Sequence, residues 1–240
     1  MIAAALVTAF SLGVSAAPPP IGLSVAPSHL ALQAGGTAEV HVSAPARLFL
    51  HAAVAGLTLD AGGRPQIIGK RDAANWLVLS PRTLLVGPGG ATLRVRSRRA
   101  NGARAGDHSA VVVLSAVTPG AKGVVVAMRV GLVVTVRVGR PRGRRLEVTG
   151  VRAGRAGRTA VIEVTLANRG DVIERLDAGR LEVTLRRRRR VVARLHYPRR
   201  WLLPRTSAVI RLRCSGALHR TVVARVALAG TVARTYRLRL

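Results

Sequence analysis

The chain has 240 residues, long for one β-sandwich and sufficient for two of about 100 residues each with separate cores. Apolar residues make up 49% of it but aromatics only 2%, so any interior is aliphatic, and the valine-rich composition favours strands. With 39 Lys plus Arg against 10 Asp plus Glu, the formal charge of +29 attracts polyanions (nucleic acid, anionic lipid, acidic wall polymers), while Lys70 and Lys122 as the only lysines make an arginine-rich coding bias an equal explanation; the single cysteine, Cys214, excludes an intramolecular disulfide framework.

At the N-terminus, Ile2 to Val14 form an apolar stretch followed by Val14-Ser15-Ala16 and Pro18-Pro19-Pro20. This matches a secretory leader over residues 1–16, cleaved after Ala16, with a Pro-rich mature start at 17–21. No basic residue precedes the apolar stretch, so either the true start lies upstream or the leader is an uncleaved membrane tether. After residue 20 no uncharged apolar segment approaches the ~18–20 residues that a spanning helix needs. The expected location is secreted or on the outer side of the cell envelope.

From residue 22 onward hydrophobicity alternates with period two, between turns rich in Gly, Pro, Asn and Asp, which is the pattern of antiparallel strands. The first half predicts strands at 22–26, 37–43, 47–54, 76–79, 83–86, 91–97, 108–117 and 123–138. In the last of these, Val124, Val126, Met128, Val130, Leu132, Val134, Val136 and Val138 share one face, which predicts a long strand, bent at Gly131 and central or partly covered. Gly106-Asp107-His108 reads as a turn, with Asp107 stabilising it.

The stretch Gly139 to Arg145 has no apolar residue except Pro141 and reads as an extended, solvated linker over 140–145. Strands resume at 146–151, 158–167, 180–186, 191–197, 207–213, 221–229 and 231–239. The expected organisation is therefore all-β: two immunoglobulin-like antiparallel sandwiches in tandem, at 22–139 and 146–240.

For catalysis the supply is thin: six His scattered singly, ten carboxylates and one Cys, without HExxH, GxSxG, P-loop or CxxC spacing. The reading is non-enzymatic, with no cofactor, no metal site and no small-molecule substrate. Cys214 falls on an apolar-side position and reads as a buried core thiol. Arg169-Gly170-Asp171 lies among turn formers and reads as an ordinary loop, and Trp76 and Trp201 read as core anchors. The run Arg186, Arg187, Arg188, Arg189 and Arg190 belongs at a hairpin tip, where its guanidiniums, with the linker's Arg140, Arg142, Arg144 and Arg145, form the electrostatic binding candidates. Sequence-specific nucleic-acid reading is disfavoured, because neither a recognition helix nor an aromatic stacking platform accompanies the charge.

Leu23-Ser24-Val25-Ala26-Pro27, Trp76 to Pro81, Leu84 to Gly89 and Ala105 to Ala110 together resemble the first sandwich of periplasmic pilus chaperones. They resemble still more closely the N-terminal domain of the WxL-interacting proteins of Gram-positive bacteria. Val164 to Asp171 resembles a strand-and-turn of bacterial Ig-like modules, including the second domain of those same proteins. The resemblance implies peptidoglycan or surface-protein binding. The basic pair by which pilus chaperones anchor a subunit's carboxyl terminus has no assigned position here. Two functions follow. The first is a cell-envelope binding or structural module for an anionic wall polymer or a surface protein, with an anionic membrane as a further possible surface. The alternative is a chaperone-like subunit binder acting by strand addition, which requires an open sheet edge beside 123–138.

Overall fold

The structure, a computed structural model, describes residues 22–69, 71–119, 125–157, 159–176, 181–187, 190–195, 200–214, 221–228 and 233–239. The leader at 1–16 and the Pro-rich start lie outside them.

Alternating aliphatic residues build the first core from two facing sheets. One has the order β1 (Ser24–Ala26), β3 (Thr37–Ser43), β8 (Ala91–Ser97), β6 (Leu77–Ser80). The other runs β2 (His29–Gln33), β10 (Val125–Val138), β9 (Gly106–Pro119), β4 (Leu48–Leu59), β5 (Pro65–Ile68), with β7 (Thr83–Val86) also paired to β4. Between them lie Leu50, Leu93, Leu114 and Leu132, all fully buried, with Val40, Val112, Val134 and Val136. Fully burying such side chains stabilises the fold by about 1.5–3 kcal/mol each.

The second core collects Ile162, Leu166, Leu176, Leu185, Leu202 and Ile210. They come from sheets β11 (Leu146–Ala156), β12 (Thr159–Asn168), β17 (Ser207–Cys214) and β15 (Arg190–Leu195), β14 (Leu181–Arg187), β18 (Thr221–Leu228), β19 (Arg234–Arg239). A small pair, β13 (Glu174–Leu176) with β16 (Arg200–Leu202), completes it. The all-β reading holds: the one helical element among the described residues is the 3₁₀ turn Asp72–Asn75. Cys214 is buried in this core, and burial raises its thiol pKa.

Four short strands, β2, β5, β13 and β16, were not among those expected from the sequence. β2 follows Pro27 closely: the chain leaves β1 in one sheet, and beyond the proline enters the other, pairing parallel with β10. The long strand expected at 123–138 is β10, whose pairing with β9 runs without a register shift through Gly131, from Val125↔Pro119 to Val138↔Gly106. At Gly131 a side chain would press on Val111, its Cβ lying 3.2 Å from Cγ2.

The stretch at 140–145 has exposed arginines, yet its backbone is bonded to the Asn168–Asp171 loop. Gly143 O accepts from Asp171 N at 3.2 Å, and Arg145 O from Arg169 N at 2.7 Å. Two glycines permit the close approach. A Cβ on Gly170 would come within 2.7 Å of Gly143 O, and one on Gly106 (φ +135) would come within 2.9 Å of the Asp171 Cβ.

Candidate functional site: the open edge of strand β10 and the junction beside it

β10 has two neighbours along only part of its length. From Val133 to Arg137 its outer side is taken by β2, beginning at Val133↔His29, and Val133 N–H donates to Ser28 O at 3.2 Å. Over 125–132 no described strand occupies that side. Because backbone direction alternates along a strand and Val133 points outward, Ala127, Arg129 and Gly131 also present their N–H and C=O groups outward, with no backbone partner among the described residues. The inward face stays apolar beyond the core: Leu132 is buried, and Val130 and Met128 are half-buried. On the opposite face Ala127 pairs with Val117, which is 68% exposed, and Phe49, 70% exposed, pairs with Leu85, 52% exposed. Among the described residues this stretch of β10 has an open edge, the feature that the strand-addition reading requires.

At the point where β2 closes the edge, His29 Nε2 is hydrogen-bonded to Thr135 Oγ1 at 3.0 Å. The Trp201 ring from the second core stands 5.0 Å from the imidazole. Burial lowers the His29 pKa, so the ring is neutral at pH 7. Trp201 remains 47% exposed and is not the core anchor expected from the sequence, whereas Trp76 packs against the first core.

Next to this junction a charged hinge joins the two cores. Asp107 is buried, and its carboxylate takes a forked pair from Arg137, Nε to Oδ1 at 2.7 Å and Nη2 to Oδ2 at 3.1 Å. It also accepts Ile173 N–H from the second half at 3.0 Å, while Asp107 N–H donates to Asp171 O at 2.7 Å. The bond to Asp107 raises the Arg137 pKa. Asp107 is therefore a bridge between domains rather than the turn stabiliser expected. The antiparallel pairing of β9 with β10 sets Asp107 opposite Arg137. The Arg169-Gly170-Asp171 loop is built on Asn168, whose Oδ1 accepts Gly170 N–H at 2.9 Å and whose Nδ2 donates to Val172 O at 2.8 Å. Arg205 Nη2 donates to Asp171 Oδ1 at 2.6 Å and is the main cause of that carboxyl's lowered pKa.

A cleft of about 310 Å³ opens on the hinge, with Asp72, His108 and Ser109 on one wall and Asp171 and Arg205 on the other. His108 is not isolated, as its sequence position suggested. Nδ1 meets Asp72 Oδ1 at 2.5 Å, and Nε2 donates to Arg104 O at 2.8 Å. Both nitrogens face oxygen atoms, and the Asp72 bond raises the ring's pKa, which favours the imidazolium. Ser109 Oγ has no hydrogen-bond partner, so no proton relay links it to His108 despite the Ser-His-Asp composition.

No protein-family model and no curated protein sequence matches the chain. Solved structures do. A chain of the chaperone–tip adhesin complex of CFA/I fimbriae aligns at TM-score 0.50 and 11% identity, covering 90% of this chain and 98% of its own. A chain of the CsuC–CsuE chaperone–tip subunit pre-assembly complex from Csu pili of Acinetobacter baumannii aligns at TM-score 0.52 and 11% identity, with the same coverage. The two-domain Ig-like fold of these chaperone complexes is the fold of this chain.

The arginines singled out from the sequence are dispersed. Arg186, Arg187 and Arg190 are exposed where β14 turns into β15, and Arg188 and Arg189 lie outside the described residues. Arg140 and Arg142 are exposed, Arg144 lies 3.7 Å from the buried Glu174 carboxylate, and Arg145 pairs with Glu147 at 3.0 Å. No hydrogen bond or ion pair among the described residues joins the two groups.

Proposed function

We propose that this chain is an exported, non-enzymatic, periplasmic chaperone-like protein that binds a pilus-type subunit or a related envelope protein by strand addition along β10. The observation that carries this reading is the unpaired edge at Ala127, Arg129 and Gly131 beside the half-buried apolar row Met128 and Val130. A guest strand there satisfies the outward backbone groups, and its alternate side chains extend the row. Each aliphatic side chain so buried contributes about 1.5–3 kcal/mol before the cost of ordering the guest. The solved complexes of chaperones with tip subunits supply the kind of partner. The wall-polymer reading ranks second, since Arg144 and Arg145, two of its contact residues, already face carboxylates.

The test uses a capped eight-residue peptide of alternating valine and threonine, followed by hydrogen exchange. Binding should slow exchange of the Ala127, Arg129 and Gly131 amides, and Arg129→Pro, which removes one outward donor, should abolish binding while the protein stays folded. Equal binding by wild type and Arg129→Pro, or protection confined to other strands, refutes the proposal.

A further inference from the structure

The outer face of the β11–β12–β17 sheet, outside the hinge and the β10 edge, carries a basin of about 450 Å³. Its origin is the register of three strands. Arg152 lies opposite Glu163, which lies opposite Arg211; one row further, Gly154 lies opposite Val161, which lies opposite Arg213. The inward residues Ile162, Leu212 and Cys214 fix this face outward, because shifting any strand by one residue would expose the core. Gly154 contributes no side chain, and a Cβ built there meets nothing within 4 Å, so the basin is open above it.

Four arginines line the basin, Arg155 being the fourth, against the single carboxylate of Glu163. Glu163 Oε1 accepts from Arg211 Nε at 2.9 Å and neutralises one of them. Arg152 and Arg213 have no hydrogen-bond or ion-pair partner among the described residues. They rise from the two outer strands, Arg152 from β11 beside Gly154 and Arg213 from β17 in the row of Gly154, about 10 Å apart across the two strand spacings, a gap that two arginine arms can close from either side. Two unengaged guanidinium forks that can converge over an open floor are matched by an anion with two linked charged groups. A single carboxylate reaches only one fork.

We propose that this basin is a binding site for a diphosphate-type anion, held by the forks of Arg152 and Arg213 with Arg211 beside Arg213 on β17. The shared chemistry belongs either to a free oligophosphate or to the paired phosphates of a lipid headgroup.

Calorimetric titration of the full chain with inorganic pyrophosphate at low salt tests the site. A parallel arm uses phosphatidylcholine vesicles with and without cardiolipin. Wild type should bind pyrophosphate, and Arg152→Ala with Arg213→Ala should weaken binding by about tenfold or more, the value of a charge-assisted pair or two. Gly154→Leu, which fills the gap and keeps every charge, should weaken it by a similar factor. Arg186→Ala with Arg187→Ala, which removes as much charge elsewhere, should change it less than about threefold. Binding to cardiolipin vesicles with the same variant dependence assigns the headgroup as the source, and pyrophosphate binding alone assigns the free anion. No pyrophosphate binding by wild type overturns the proposal. So does equal weakening by both arginine pairs with no effect of Gly154→Leu, which would trace the affinity to diffuse charge.

Discussion

The sheet edges of the two cores are treated differently. In the second core the edge strands are guarded by cations: β15 carries exposed Arg190 and Arg194, β19 carries Arg234, Arg237 and Arg239, and β11 carries Arg152 and Arg155. Along the open length of β10 the only outward charge among residues whose side chains are described is Arg129, flanked by Ala127 and Gly131. Arginine on an edge discourages pairing with another chain, so among the described edges the open length of β10 is the less guarded one.

Proline substitution separates the paired from the unpaired side of β10 most sharply. Val130→Pro removes a bond to β9 inside the ladder and should cost about 3 kcal/mol or more, read as a shift in urea midpoint. Arg129→Pro, one residue away, should cost about 1 kcal/mol or less, because its N–H faces the open side. Equal losses would mean that the edge is covered.

A smaller effect is expected at the hinge. Arg137→Ala leaves the Asp107 carboxylate buried with only the Ile173 N–H, and should destabilise by about 1–3 kcal/mol while widening the solution scattering envelope. An unchanged envelope would show that the two cores are held by other contacts.

Smaller again is the pH dependence from His108. Its pKa is raised above the ordinary value of 6.5 by Asp72, so its contribution is complete below that value and is lost as pH rises through the raised one. His108→Gln should flatten the stability profile over that window in urea titrations, and a profile identical to wild type would remove the imidazolium from the hinge.

The guarded edges should show their role in association state. Arg190→Val with Arg194→Val should turn β15 into a second available edge, and sedimentation should detect concentration-dependent self-association absent from wild type.

The long strands were legible because period-two alternation over many residues has one structural meaning, as in β3, β9, β10 and β12. β13 and β16 were not, since three residues cannot establish a period. β5 begins at Pro65 and stays mostly exposed, so it shows no buried face to read. The open edge was half legible. The sequence marks β10 as long and alternating, but the point at which β2 stops covering it depends on a parallel pairing between residues about a hundred positions apart. Asp107 was misread for a similar reason: its local surroundings are those of a turn, while the groups that hold it come from β10 and from the second core.

Each of the two tryptophans lies against a histidine, Trp76 edge-on to His108 at 4.9 Å and Trp201 beside His29 at 5.0 Å. Protonated imidazole quenches indole emission and neutral imidazole does so far less, so the two tryptophans are intrinsic optical probes beside imidazoles whose pKa values are shifted in opposite directions. Trp76 should brighten when the hinge imidazolium loses its proton. Trp201, which reaches across to His29 of the first core, should change its emission when the two cores separate, and so report the state of that contact without any added label.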